Sequence, residues 1–275
     1  MSEPSSRPPV CADDRWYPSS PVDLRSVVTE TVEQAPILDL TGEVVGLIAP
    51  HAGYCFSAHV AGAGYRQVRD GDYDTVVLIG PDHAGVALGD LALPDFDAWR
   101  TPLGEVPVDL ELVASLGERV RLRRVPRDSE HSLEVQLPFL QTVLTDFTLL
   151  PIMMGSQSPV ACRDLGKAVA DVVRDRQVLL VASTDLSHFH PDAAARQLDE
   201  ETLRYVLSFD PDGLAQALAA NEAHACGGGP VAAVMFAARQ LGATEAHLVK
   251  YATSGDVWSD KSQVVGYAAV VLTTA

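Results

Sequence analysis

The chain has 275 residues and a formal net charge of −17, from 37 acidic against 20 basic side chains. That balance disfavours nucleic acid as a partner, because phosphate contacts need clustered Lys and Arg, and no run of about 18 apolar residues is present to cross a membrane. With 47% hydrophobic and 21% charged residues, the composition is that of a globular protein able to bury a sizeable core.

The first stretch, MSEPSSRPPVCADD, has no apolar h-region and reads as a disordered lead-in over 1–14, not a secretory signal. A single domain is expected from 15 to 275. The first apolar run, VVGLIA (44–49), ends at Pro50–His51, with Gly53 and Tyr54 behind; His59 falls within the helix expected next. The second, TVVLIG (75–80), ends at Pro81–Asp82–His83. Leu112, Val113, Leu116 and Val120 follow helical spacing. RLRRVPR (121–127) is a local basic patch, read as a solvated edge.

DSEHSLEVQLPFL (128–140) reads as the start of a helix carrying Glu130, His131 and Glu134, with Leu133, Leu137 and Leu140 as its apolar stripe. Acidic residues in a first turn also suit the helix dipole. FTLLPIM (147–153) and VLLVAS (178–183) are further apolar runs, the latter followed by Thr184–Asp185–Leu186–Ser187–His188. Asp210 with Pro211 is an N-cap and first-position pair. In HACGGGPV (224–231), Cys226 precedes three glycines, and Pro230 is expected to open a helix. A cysteine before a helix N-terminus is expected to have a lowered thiol pKa, although a buried structural cysteine is the alternative. His190 reads as loop, and His224, two residues before Cys226, could reach the same pocket. SQVVGYAAVVLTT reads as a final strand, with His247 in a late strand and Ser254 and Asp256 at a strand end.

The apolar runs do not alternate, so each strand is covered on both faces, as in a parallel sheet with helices on each side. In such sheets ligands bind outside the carboxyl ends of the strands. His51, His83, Asp185 and His188 all follow such ends and should converge on one crevice. Imidazoles brought together from distant parts of a chain favour a metal. His131 is a candidate either to support a ligand or to contact substrate, Glu134 is a candidate substrate contact, and Tyr54 is either a hydrogen-bond donor to a bound ligand or an aromatic packing residue. The four cysteines, Cys11, Cys55, Cys162 and Cys226, share no CxxC spacing, which points to a reducing cytoplasmic setting.

Together APHAGY, GPDH, EHSLEVQLPFL, STDLSH, ACGGGPV, the closing YATSGD and VVGYAA, and RWYP at 15–18 resemble the Memo-like family. Its bacterial members are called AmmeMemoRadiSam system protein B. The resemblance implies a bacterial origin and a three-layer αβα sandwich with a central, mostly parallel sheet, similar to the LigB-type class III extradiol dioxygenases. It also implies a metal site of His51, His83 and Cys226, with Asp185 and His188 as the catalytic acid/base pair. Where this chain has Gly227–Gly228–Gly229, some family members carry a basic or histidine residue.

Three functions are compatible with these residues. An iron-dependent oxidoreductase would hold Fe(II) between His51, His83 and Cys226, while His188, steered by Asp185, moves a proton. A non-enzymatic module would bind a small-molecule or peptide ligand alongside the AMMECR1-type and radical SAM proteins that the resemblance implies as partners. A hydrolase would use Zn. The softness of a His2Cys set admits Fe, Cu or Zn.

Overall fold

The four apolar runs lie side by side at the centre of one large sheet. The computed structural model describes residues 5–275. In chain order it contains β1 (Ser6–Arg7), α1 (Pro21–Glu33), β2 (Val44–Ala49), α2 (Tyr54–Arg66), β3 (Thr75–Pro81), β4 (Leu91–Pro94), β5 (Ala98–Thr101) and β6 (Gly104–Pro107). There follow α3 (Leu110–Gly117), β7 (Leu122–Val125), α4 (Leu137–Val143), β8 (Thr148–Met154), α5 (Pro159–Val173), β9 (Val178–Ser183) and β10 (His188–His190). The last elements are α6 (Asp192–Leu207), α7 (Pro211–Ala219), α8 (Gly228–Gln240), β11 (Glu245–Thr253) and β12 (Val264–Thr273).

The large sheet runs β10-β12-β2-β9-β3-β8-β4-β7, with β11 branching from β12. Its inner strands β2, β9, β3 and β8 are mutually parallel, and β12 and β4 flank them antiparallel. Val76 to Ile79 on β3 and Leu179 to Ala182 on β9 are completely buried, as the unbroken apolar runs require. One face is covered by α8, which packs on β2, β3 and β9 with α5 and α7 beside it; the other is covered by α2, with α1 and α4 behind it. The expected three-layer αβα architecture is the observed one.

Local chemistry explains most boundaries. The Asp210 carboxylate accepts the Gly213 N–H at 2.9 Å, capping α7 with Pro211 behind it. The basic patch is β7, an edge strand whose Arg123 and Arg124 face solvent.

Four expectations need correction. The lead-in falls partly on residues 1–4, outside the described residues, but Ser6–Arg7 is a strand that pairs parallel with Ala98–Trp99, and Arg7 and Cys11 are buried. Pro230 is the third residue of α8, not the first; its missing N–H falls among those that a first turn leaves unbonded anyway. His190 belongs to β10 instead of a loop. Residues 128–133 are not helical: a 3-10 turn, Glu134–Gln136, precedes α4. There the Asp128 carboxylate accepts the Glu130 N–H, and Glu130 accepts the His131 and Ser132 N–H groups. Such local side-chain bonds compete with the helix for its donors.

Candidate metal centre

His51 follows the end of β2, His83 follows β3, and Cys226 stands two residues before α8. Their ligand atoms all lie within 4.8 Å of one another. The His51 and His83 rings are edge to face, with centroids 5.2 Å apart, and His51 Nε2 is 3.1 Å from Cys226 Sγ.

What surrounds the imidazoles sets which nitrogen is free. The Ser183 hydroxyl donates to the Ser132 carbonyl at 2.6 Å, so it accepts from His51 Nδ1 at 3.0 Å and from Gln136 Nε2 at 2.8 Å. Gln136 is held in turn by the Pro50 carbonyl and the Tyr65 hydroxyl. With its proton on Nδ1, His51 turns the Nε2 lone pair to the cluster. His83 is treated alike: its Nδ1 lies 3.0 Å from Glu130 Oε1. The same buried carboxylate accepts the N–H groups of His83, Ala84, His131 and Ser132. Burial works to raise the Glu130 pKa, but the His83 and Ser132 hydrogen bonds outweigh it and hold the carboxyl well below the usual range. An ionised carboxylate on Nδ1 leaves Nε2 of His83 as the ligating atom, the usual orienting arrangement for a metal-bound histidine.

Burial, then the neighbouring His131 and His83, keep His51 well below the usual imidazole pKa, so it is neutral and able to ligate. Burial also lowers His83, but Glu130 outweighs it and the net direction is up. Cys226 departs from expectation. Burial, then the Asp185 charge, push its thiol up to about 12, against the lowering foreseen from the N-terminus of α8. The Asp185 N–H does reach Sγ, at 3.3 Å; burial prevails.

Asp185, 4% exposed, accepts the His51 N–H at 2.8 Å, and its carbonyl accepts the Cys226 N–H. It therefore ties the His51 loop to the Cys226 loop. It does not steer His188, whose Nδ1 donates to the Leu186 carbonyl at 2.8 Å. Burial drives the Asp185 pKa up to about 7.

The expected substrate contacts divide. His131 stays at the cluster: its ring stacks on His83 at 4.7 Å and on Trp16 at 4.0 Å. Burial lowers its pKa to about 4. Tyr54 does not reach out to a ligand, because its hydroxyl donates to the Val135 carbonyl at 2.6 Å in the interior. Glu134 is fully buried and binds Arg7, the Val10 and Cys11 N–H groups and the Tyr17 hydroxyl. Ser254 and Asp256 are also committed elsewhere, to the Val265 N–H and to Arg196. His59 is partly buried in α2, and His247 pairs with Thr273 at 3.0 Å. Three partners went unread in the sequence: Ser183 and Gln136, which hold His51, and Trp16, which covers His131. Ser183 is the last residue of a strand already singled out for its end, so it could have been found there.

A family model described as "Memo-like protein" matches residues 7–271. A protein named as a MEMO1 family protein in Methanopyrus kandleri is 39% identical over 274 residues, covering 94% of this chain and 95% of that one. One from Methanosarcina mazei is 40% identical over 234 residues, covering 84% and 86%. One from Nitrosopumilus maritimus is 34% identical over 273 residues, covering 96% and 98%.

Proposed function

The chain belongs to the Memo-like protein family, and from that premise we propose that it holds non-haem iron between His51, His83 and Cys226 and acts as an oxidoreductase of dioxygenase-like type. The observation that carries the proposal is the pair of oriented histidines. Ser183 and Glu130 each engage an Nδ1 and leave an Nε2 lone pair within 4.8 Å of a thiol. Two imidazoles and a thiol brought within that distance suit Fe, and also Cu or Zn.

Bound there, Fe(II) would supply redox capacity and open coordination positions. The chain's own residues do the rest. Asp185 fixes the two ligand-bearing loops against each other. His188, with its proton on Nδ1 and its pKa lowered by burial, presents Nε2 as a base able to take a proton from a substrate hydroxyl. Trp16 stacks on His131, and His131 in turn covers one face of the His83 ring. A bacterial origin and partnership with AMMECR1-type and radical SAM proteins belong to the same proposal and rest on family resemblance, and a cytoplasmic setting rests on the unpaired cysteines; the relatives named above are archaeal. Among the described residues no helix is long and apolar enough to cross a membrane.

Purification without oxygen or chelators, with metal analysis of wild type and Cys226→Ser, tests the site. Near-stoichiometric iron that falls sharply in the variant is the expected result. Zinc at full occupancy without reaction with O2 would turn the reading to a hydrolase. No uptake of added Fe(II), Cu or Zn would leave a ligand-binding crevice and end the oxidoreductase proposal.

A further inference from the structure

Behind Cys226 the same end of the sheet opens into a cavity of about 470 Å3, lined in part by Gln157, His188, His190, Asn221, His224 and Cys226. That is the size of a small-molecule site. Among the described residues no Asp, Glu, Lys or Arg lines it, although the chain carries 37 acidic side chains.

Beside the Asn221 amide, the wall offers imidazoles for recognition. The α8 N-terminus adds no free donor: Gly227 N–H binds Thr184 Oγ1, Gly228 N–H the Ala225 carbonyl and Gly229 N–H Gln157 Oε1, and Pro230 has none. The rings of His190 and His224 stand 6.3 Å apart at 75°, and among the described residues neither ring has a hydrogen-bond partner. A cationic ligand would find no carboxylate here. A wholly apolar one would leave both imidazoles unpaired in a desolvated wall.

Backbone strain marks the same wall. Phe189 has a φ of 61°, a left-handed conformation that is strained for a bulky side chain. It is 68% exposed, and its ring meets the His188 ring edge to face at 5.6 Å, so the strained residue adjoins a cavity histidine. Phe189 is the extra residue of a β-bulge, since His188 pairs with Val265 and His190 with the adjacent Val264. Bulges beside functional sites re-aim side chains, and this one places both His188 and His190 on the cavity wall.

We propose that this cavity is a binding subsite for a small molecule bearing an oxyanion, a carboxylate or a phosphate, held by His190 and His224 with its body toward His188 and Cys226. Its identity as the substrate subsite rests on the metal-centre reading above; oxyanion binding does not.

The test is calorimetric titration of the full chain with succinate and, separately, ethyl phosphate, with 1,4-diaminobutane as the cationic control. Wild type, His190→Ala and His224→Ala are compared, each as purified and after chelation. Saturable binding of at least one oxyanion is expected, weakened about tenfold or more in each variant, the loss of one charge-assisted hydrogen bond. His224→Gln, which keeps a donor, should recover part of the loss. The stronger of the two oxyanions identifies the headgroup. No saturation up to about 10 mM, equal binding of the diamine, or unchanged affinity in both alanine variants overturns the proposal. Among the described residues no hydrogen bond or ring contact joins either histidine to His51, His83 or Cys226, so metal content should be the same in all variants. Succinate binding by a protein that takes no metal would set aside the metal centre alone, and a metal-loaded protein that binds neither oxyanion would set aside the subsite alone.

Discussion

Arg7→Met should be among the most damaging single changes in the protein, although it lies far in sequence from the proposed ligands. Arg7 is 2% exposed. Its guanidinium grips Asp128 with two bonds, at 2.9 and 2.6 Å, reaches Glu134 and the Glu130 carbonyl, and lies 4.1 Å over the Trp99 ring. Methionine retains much of the apolar stem but leaves two buried carboxylates without their cation. Removing one partner of a buried ion pair costs about 3–5 kcal/mol, which for a domain of this class corresponds to a fall in Tm of roughly 6–20 °C. Arg7→Lys should lose less, because an ammonium keeps the charge but lacks the planar fork that serves Asp128 and Glu134 together. Chemical denaturation of the three proteins, with Tm by circular dichroism, measures the effect. The strap carrying Trp16 is bolted to the Glu130–His131 segment through this cluster, so metal uptake should decline as well. A loss under about 1 kcal/mol, the range of an exposed pair, would refute the reasoning.

Glu130→Gln should lower metal affinity about 10–100-fold, read by competition with a chelator, because one amide oxygen cannot accept all the donors that converge on the carboxylate. Unchanged affinity would show that His83 is oriented by something else. Gly227→Ala would bring a Cβ to 2.3 Å from the Ser183 carbonyl oxygen and 2.9 Å from Thr184 Cβ; a cost of about 1–3 kcal/mol is expected in denaturant unfolding, with lower metal content as the Cys226 loop shifts. Wild-type stability and loading together would dispose of that close approach. Asp199 is fully buried, and burial raises its pKa against the opposing Tyr251 and Ser187 bonds. A carboxyl raised in the folded state binds more protons folded than unfolded, so its contribution is present below about pH 4 and is lost as pH rises through the folded pKa. Asp199→Asn should therefore gain on wild type between pH 5 and pH 8 in urea titrations; a difference that does not change with pH would contradict this.

The strands and the ends that carry His51, His83 and Asp185 were legible because they depend on short-range pattern: an unbroken apolar run, then a polar residue where the chain leaves the sheet. What decides the state of each histidine is not local. Glu130 meets His83 across 47 residues and Ser183 meets His51 across 132, and no periodicity reports a pairing of that kind. Glu134 misled for a related reason. Spacing placed it one helical turn from Glu130, but side-chain bonds from Asp128 and Glu130 hold the backbone out of the helix, so the two carboxylates reach opposite partners, His83 and Arg7. The N-terminal segment looked disordered by its Ser and Pro content, yet one arginine, satisfied by carboxylates more than 120 residues away, is enough to bury it.

These long-range bonds explain why the cluster is ordered before any ligand arrives. Imidazoles left to rotate would have two tautomers and several ring positions, and binding would have to select among them. Here Ser183 and Glu130 settle both choices on folding, and each is itself fixed: Ser183 by the Ser132 carbonyl and Gln136, Glu130 by four backbone N–H groups. The shell therefore pays during folding the ordering cost that would otherwise weaken binding. The cavity behind Cys226 is built differently. Among the described residues His190 and His224 have no such partners, so their donors remain available to whatever enters, and a rigid centre adjoins an adaptable wall. Substitutions at His190 or His224 should change ligand affinity without altering metal content, whereas substitutions at Ser183 or Glu130, which do not line that cavity, should change metal content.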